Sequence, residues 1–80
     1  MATVQDKTRA LIAQKLSVSE SEITPEKNLA NDLGADSLDI VEISMLLERE
    51  FNVKFGENDT EKIHTVGDVY QLIEHYTSNK

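Results

Sequence analysis

From Asp36 or Ser37 to about Phe51 the chain runs without glycine or proline and is dense in Leu, Glu, Met and Ile, which predicts a helix. Its apolar residues fall on two faces. At 100° per residue, Leu38, Val41 and Met45 cluster within roughly 60° of one another, while Ile40, Ile43, Leu47 and Phe51 cluster on the opposite side. In a chain of 80 residues one face turns into the core, so the other is a second burial surface or an exposed patch meant for a partner. Glu42 and Arg49 lie beside the Leu38, Val41, Met45 stripe and Glu48 flanks its other edge. That polar edging favours an exposed contact surface.

The remaining chain must supply what the inner face packs against. Val4, Leu11, Ile12 and Leu16 share one face of a first helix, and Thr3 followed by Asp6 is an N-cap signal. A last helix is marked by Thr65 and Asp68, with Val66, Val69, Leu72, Ile73 and Tyr76 on one face and fraying expected from Thr77 to Lys80. Between the first two helices, Ser17 to Gly34 reads as a long loop tacked down by Ile23, Leu29 and Leu33, with room for a helical turn after Thr24-Pro25. Gly56 to Lys62 reads as loop plus one helical turn, with Asn58 and Glu61 at capping-box spacing and Ile63 as its apolar anchor. Phe51 to Phe55 alternates like a strand but has no second strand to pair with. The expected fold is all-α: one domain over residues 1–80, a small bundle of three main helices and one short one, with a long first loop.

Composition narrows the function classes. A domain of this size buries only about 60% of the surface its unfolded chain exposes, which leaves little volume for a deep enzyme cleft. With no cysteine and two histidines there is no disulfide framework, no thiolate metal site and no thiol nucleophile. No apolar run approaches the roughly 20 residues of a membrane span, and Met1 to Val4 leads into Gln5, Asp6 and Lys7 without a signal-peptide core; an intracellular protein is expected. The formal net charge is −7, which opposes binding to nucleic acid or an anionic membrane. All of that charge resides between Asp32 and Glu61, where Asp32, Asp36, Asp39, Glu42, Glu48, Glu50, Glu57, Asp59 and Glu61 face only Arg49 and Lys54. A basic partner surface is the natural complement.

Acidic residues beside a turn raise the question of calcium. With Gly34 at the sixth position of an EF-hand loop, Leu29 and Leu33 occupy the first and fifth, where oxygen ligands are required. No metal site is assigned. A hydrolase would couple Ser37 to His64 or His75, yet there is no nucleophile elbow and no glycine-rich oxyanion loop. His75, near the end of the last helix, suits the helix dipole, and His64 reads as a turn residue. Ser37 stands apart. Asp36 beside it caps a helix at least as well, so the serine hydroxyl is spare. A helix N-terminus ordinarily attracts phosphate, but Asp36, Asp39 and Glu42 oppose that here. A free phosphate is held poorly at such a site, whereas a phosphodiester attached covalently to the serine stays, held out in solvent.

The segment Leu33-Gly34-Ala35-Asp36-Ser37-Leu38-Asp39 resembles the signature of acyl carrier proteins, and the likeness extends over essentially the whole chain. Ile23-Thr24, Val41-Glu42, Leu47-Glu48-Arg49-Glu50-Phe51 and Glu61-Lys62-Ile63-His64-Thr65-Val66 resemble the family too, most closely the freestanding carriers of bacterial-type fatty acid synthesis, including those of organelles. The resemblance implies that Ser37 carries a 4′-phosphopantetheine derived from coenzyme A, whose thiol holds the growing acyl chain as a thioester. It implies a monomeric carrier that performs no catalysis. Asp36, Leu38, Asp39, Val41, Glu42, Met45 and Glu48 match the family's recognition surface, where acids meet Arg or Lys and the apolar stripe fills a shallow pocket. The implied partners are a phosphopantetheinyl transferase, the malonyl transferase, ketosynthases, ketoreductase, dehydratase and enoyl reductase of fatty acid synthesis, and acyltransferases. The implied compartment is the bacterial cytoplasm, or a plastid or mitochondrion after removal of a transit peptide. The inner stripe is expected to join Val4, Leu11, Ile12, Leu16, Val69, Leu72 and Ile73 in an aliphatic core that parts to shelter the acyl chain, as in the family.

Three positions depart from the family pattern. Gly56 stands where many relatives carry proline, which is expected to loosen that loop; Arg49 interrupts a run that is more often acidic; Ile40 replaces a common smaller polar residue. Two other readings compete with fatty acid synthesis: a specialised carrier for polyketide, lipid A, nodulation-factor or aminoacyl chemistry, and an unmodified adaptor that binds proteins through its acidic helix.

Overall fold

The structure is a computed structural model that describes residues 3–56 and 58–78. Met1, Ala2, Glu57, Asn79 and Lys80, which entered the readings of the chain's start, its acidic segment and its end, lie outside the described residues. Among the described residues there are three α-helices: α1 (Val4–Leu16), α2 (Ser37–Phe51) and α3 (Val66–Ser78). Each begins with the same local device, a side chain that accepts the backbone N–H three residues on while an aspartate there reaches back. Thr3 and Asp6 start α1, Asp36 and Asp39 start α2, and Thr65 and Asp68 start α3. These reciprocal bonds satisfy donors that a helix N-terminus leaves unpaired. The helix α2 stops where Asn52 adopts a left-handed backbone with φ 54°, a conformation asparagine tolerates.

The core is the all-α bundle expected. Ile12 of α1, Ile43 and Leu47 of α2, and Val66, Val69 and Ile73 of α3 are fully or almost fully buried, each contributing about 1.5–3 kcal/mol of transfer free energy. Val4, Leu11, Leu16, Ile40, Phe51 and Leu72, expected inside, lie partly buried around this cluster. Thr8 and Ser44 are buried instead, and each satisfies its hydroxyl by donating to a carbonyl one turn earlier, Val4 at 2.8 Å and Ile40 at 2.9 Å. Ala13, Ile23, Leu29, Ala35, Phe55, Ile63 and Tyr70 complete the core among the described residues.

The connections are more ordered than the sequence suggests. Within the long loop Ile23 and Leu29 are buried and Leu33 partly so. The helical turn falls at Glu20–Glu22, as a 3₁₀ turn, rather than after Pro25; Thr24 to Lys27 is a reverse turn closed by Lys27 N–H to Thr24 C=O at 3.0 Å. Asn28 then accepts the Ala30 and Asn31 N–H groups on its side chain and pairs with Thr65 in an isolated antiparallel bridge, flanked by Leu29 N–H to His64 C=O at 2.9 Å. Gly34, with φ +76°, turns the chain into α2 through a conformation other residues rarely adopt.

The minor helical element is a single 3₁₀ turn, Thr60–Lys62. Its N-cap residue is Asp59, not Asn58, and Asp59 accepts the Gly56 N–H at 2.6 Å, so the expected Asn58–Glu61 capping box does not form. Gly56 is tied down rather than loosened: its N–H also reaches the Tyr76 hydroxyl at 3.3 Å, and a proline there has no N–H to give. At the chain's end Thr77 and Ser78 remain helical, Thr77 Oγ1 donating to the Ile73 carbonyl at 2.8 Å, where fraying was expected.

Candidate functional site

Ser37 is the first residue of α2 and is exposed. The cap beside it is complete without its hydroxyl, because Asp39 N–H donates to Asp36 Oδ1 at 2.8 Å and Asp36 N–H donates to Asp39 Oδ2 at 3.2 Å. Local sequence thus turns two carboxylates inward on the backbone and leaves the serine side chain pointing into its surroundings.

Beside Ser37 opens a cleft of about 300 Å³, lined by Ser37, Ile40 and Val41 of α2 and by Thr60, Glu61, Ile63 and His64 from the second 3₁₀ turn and the residues after it. Ile40, the departure with added bulk, is a wall of this cleft. Thr60 and Glu61 carry no sequence signal of a site, and His64 reads as a turn residue from sequence; their approach to Ser37 spans more than twenty positions and has no local signal. His64 and Ser37 share the cleft, but the Asp68 carboxylate accepts the His64 backbone N–H at 3.0 Å, not its imidazole. No serine–histidine–aspartate relay is assembled among the described residues. Nor is there, among them, a group of three or more His, Cys, Asp or Glu placed to hold a metal ion.

The outer face of α2 is exposed as its periodicity predicts. Leu38, Val41 and Met45 are 65%, 44% and 58% accessible and are the large apolar side chains exposed among the described residues. The acids around them are partly engaged within the molecule. Asp36 and Asp39 cap each other's backbone; Glu42 pairs with Lys15 of α1 at 2.8 Å; and Glu48 accepts the Phe55 N–H at 2.7 Å, holding the turn after α2. The Glu42 carboxylate raises the affinity of Lys15 for its proton through this bond. Arg49 is exposed and joins Lys15, Glu42, Met45 and Leu46 around a shallow depression of about 190 Å³.

The far side of the Ser37 cleft is anchored at both ends. Asp59, before the 3₁₀ turn, accepts from the Tyr76 hydroxyl and the Gly56 N–H, and those bonds hold its carboxyl below the usual aspartate range. Asp68, after it, accepts from the Thr65 and His64 N–H groups at 3.0 Å each, and is likewise lowered, chiefly by Thr65.

Residues 6–73 match a protein family described as "Phosphopantetheine attachment site". Among solved structures, a chain assigned as an acyl carrier protein from Mycobacterium tuberculosis is 35% identical with a TM-score of 0.80, over 86% of this chain and 92% of that one. The acyl carrier protein of Enterococcus faecalis is 32% identical with a TM-score of 0.78, over 91% of this chain and 92% of that one. The site suits the group the family carries, since an arm of amides, hydroxyl and methylenes fits a cleft that alternates Ile40, Val41 and Ile63 with Thr60 and His64. The helical bundle, the spare serine at the head of its central helix and these likenesses agree: the chain belongs to the phosphopantetheine-attachment family as an acyl carrier protein, with covalently bound 4′-phosphopantetheine as its prosthetic group.

Proposed function

We propose that Ser37 is the attachment residue and that the protein carries growing fatty acyl chains for type II fatty acid synthesis. The observation that carries the assignment is the exposed Ser37 hydroxyl, left outside the α2 cap at the mouth of a half-apolar cleft. When bound, the prosthetic group supplies the thiol on which acyl chains are held as thioesters, a group this chain lacks because it has no cysteine. Ser37 provides the hydroxyl for the phosphodiester linkage, and Asp36 and Asp39 repel the resulting negative charge, which keeps the arm available to other proteins.

Leu38, Val41 and Met45 form the contact stripe, and Asp36, Asp39, Glu42 and Glu48 frame it. The fitting partners present a shallow apolar pocket edged by Arg and Lys: first a phosphopantetheinyl transferase, then the malonyl transferase, ketosynthases, reductases, dehydratase and acyltransferases of chain elongation. Charge at the rim mainly accelerates encounter and is screened by salt, which suits a carrier that must leave each enzyme quickly. The carrier acts as a monomer in the bacterial cytoplasm; its likeness to the Enterococcus faecalis acyl carrier protein supports the bacterial setting.

Incubation with coenzyme A and a broad-specificity phosphopantetheinyl transferase, followed by intact mass measurement, tests the attachment residue. The expected result is a gain of one phosphopantetheine, absent in Ser37→Ala; a folded wild-type protein that gains nothing overturns it. Fatty acyl thioesters on protein purified from its own cells support the pathway, and polyketide or aminoacyl cargo refutes it.

A further inference from the structure

The seven residues lining the Ser37 cleft include one that can become a cation, His64. Its main chain has a structural role: the carbonyl accepts from Leu29 N–H at 2.9 Å and the N–H donates to Asp68 at 3.0 Å. The imidazole has none among the described contacts, and the residue is exposed. The main chain therefore fixes the position of this ring on the wall across from α2, while the ring itself makes no hydrogen bond among the described residues.

Resting on the assignment of Ser37 as the attachment residue, we infer that His64 receives the phosphodiester of the arm, and that its protonation sets how much of the time the arm lies in the cleft. The phosphodiester is attached at Ser37 Oγ itself, so of the whole arm it is the part nearest the cleft walls. Charges around it differ in sign by element. On α2, Asp36 and Asp39 push the phosphate outward; on the 3₁₀ turn, Glu61 does the same from within the lining. On α3, the Asp68 carboxylate accepts the His64 backbone N–H at 3.0 Å, and the long loop meets the same residue through the Leu29 N–H. Among the side chains lining the cleft, a protonated His64 is then the one that attracts the phosphate against the repulsion of Asp36, Asp39 and Glu61. As pH falls through the imidazole range the arm is drawn onto the cleft, and as pH rises it is released to solvent. The neutral ring still donates one N–H, so docking weakens rather than vanishes.

The test loads the protein with coenzyme A and a broad-specificity transferase, verifies the mass gain, and follows the phosphodiester by ³¹P NMR at low salt between about pH 5 and 8. A phosphodiester keeps one charge across this range, so any movement of its resonance reports a neighbour. The expected result is a ³¹P shift that follows pH in the wild type and falls several-fold in His64→Gln. His75→Gln is expected to leave it intact, because His75 lies near the opposite end of α3, about 14 Å along the helix. Since the bonds that hold the fold here come from the His64 main chain, His64→Gln is expected to fold; its circular dichroism melt verifies this. A loaded protein whose ³¹P resonance is flat, or moves equally in His64→Gln, overturns the role of His64 while leaving Ser37 as attachment residue. A folded protein that gains no mass overturns both.

Discussion

The Tyr76 hydroxyl donates to Asp59 Oδ2, the same carboxylate oxygen that accepts the Gly56 N–H at 2.6 Å. Through it the end of α3 holds the 3₁₀ turn that forms one wall of the Ser37 cleft. The Phe55 ring packs against Tyr76 with centroids 5.3 Å apart, so Tyr76→Phe removes the bond and keeps the contact. The variant is expected to melt a few degrees lower and to exchange its Lys62 and Ile63 amides faster. Unchanged amide protection would mean that burial of Ile63 alone holds the turn.

Acid is expected to destabilise the fold in a defined window. Asp6 is held below the usual aspartate range chiefly by the Thr3 N–H, Asp59 chiefly by the Tyr76 hydroxyl, and Asp68 chiefly by the Thr65 N–H. A carboxyl that binds its proton less readily when folded contributes stability above the unfolded value, about 3.9, and loses it as pH falls through the lower folded value. Melting temperature should therefore drop below about pH 4, and less steeply in Asp68→Asn, which cannot gain a charge-dependent cap. Parallel curves for the two proteins would remove Asp68 from the account.

The two faces of α2 are expected to fail in different ways. Leu47 is fully buried, so Leu47→Ala should cost about 2–5 kcal/mol, a large share of the roughly 4–12 kcal/mol a domain of this size has. Leu38 is 65% exposed, so Leu38→Ala should change stability by no more than about 0.5 kcal/mol and should instead slow loading by the transferase. Urea denaturation and loading kinetics on both variants separate the faces.

Glu42 and Glu48 are expected to differ although both border the stripe. Glu42→Lys should slow transferase loading at low salt, an effect that shrinks as salt is added. Glu48→Lys should also lower the melting temperature, because Glu48 Oε2 accepts the Phe55 N–H. If Glu48→Lys melts like the wild type, that bond contributes nothing to holding the turn.

Millimolar magnesium, or added monovalent salt, should raise the melting temperature by relieving repulsion in the acidic middle segment. A flat thermal response across that range would count against the repulsion account.

What could be read directly was whatever depends on neighbours a few residues apart. Thr3 with Asp6 and Thr65 with Asp68 mark helix starts because a cap is a bond between positions three apart, and Asp36 takes the cap beside Ser37 by the same rule. The two faces of α2 follow from a fixed rotation per residue, so Leu38, Val41 and Met45 could be separated from Ile43 and Leu47 without coordinates. Partial burial of Ile40, Phe51 and Leu72 could not, because periodicity gives a direction but not the distance to a neighbouring element. The cleft beside Ser37, the engagement of Glu48 by Phe55 and the grip of Tyr76 on Asp59 were also invisible, and for one reason. Each joins segments that only the packing of helices and loops around a common core brings together. Sequence alone determined that a spare serine heads a helix apolar on two sides; only the tertiary structure decided that His64 and the 3₁₀ turn stand across from it, since contacts distant in the chain are set by the packing of the whole core.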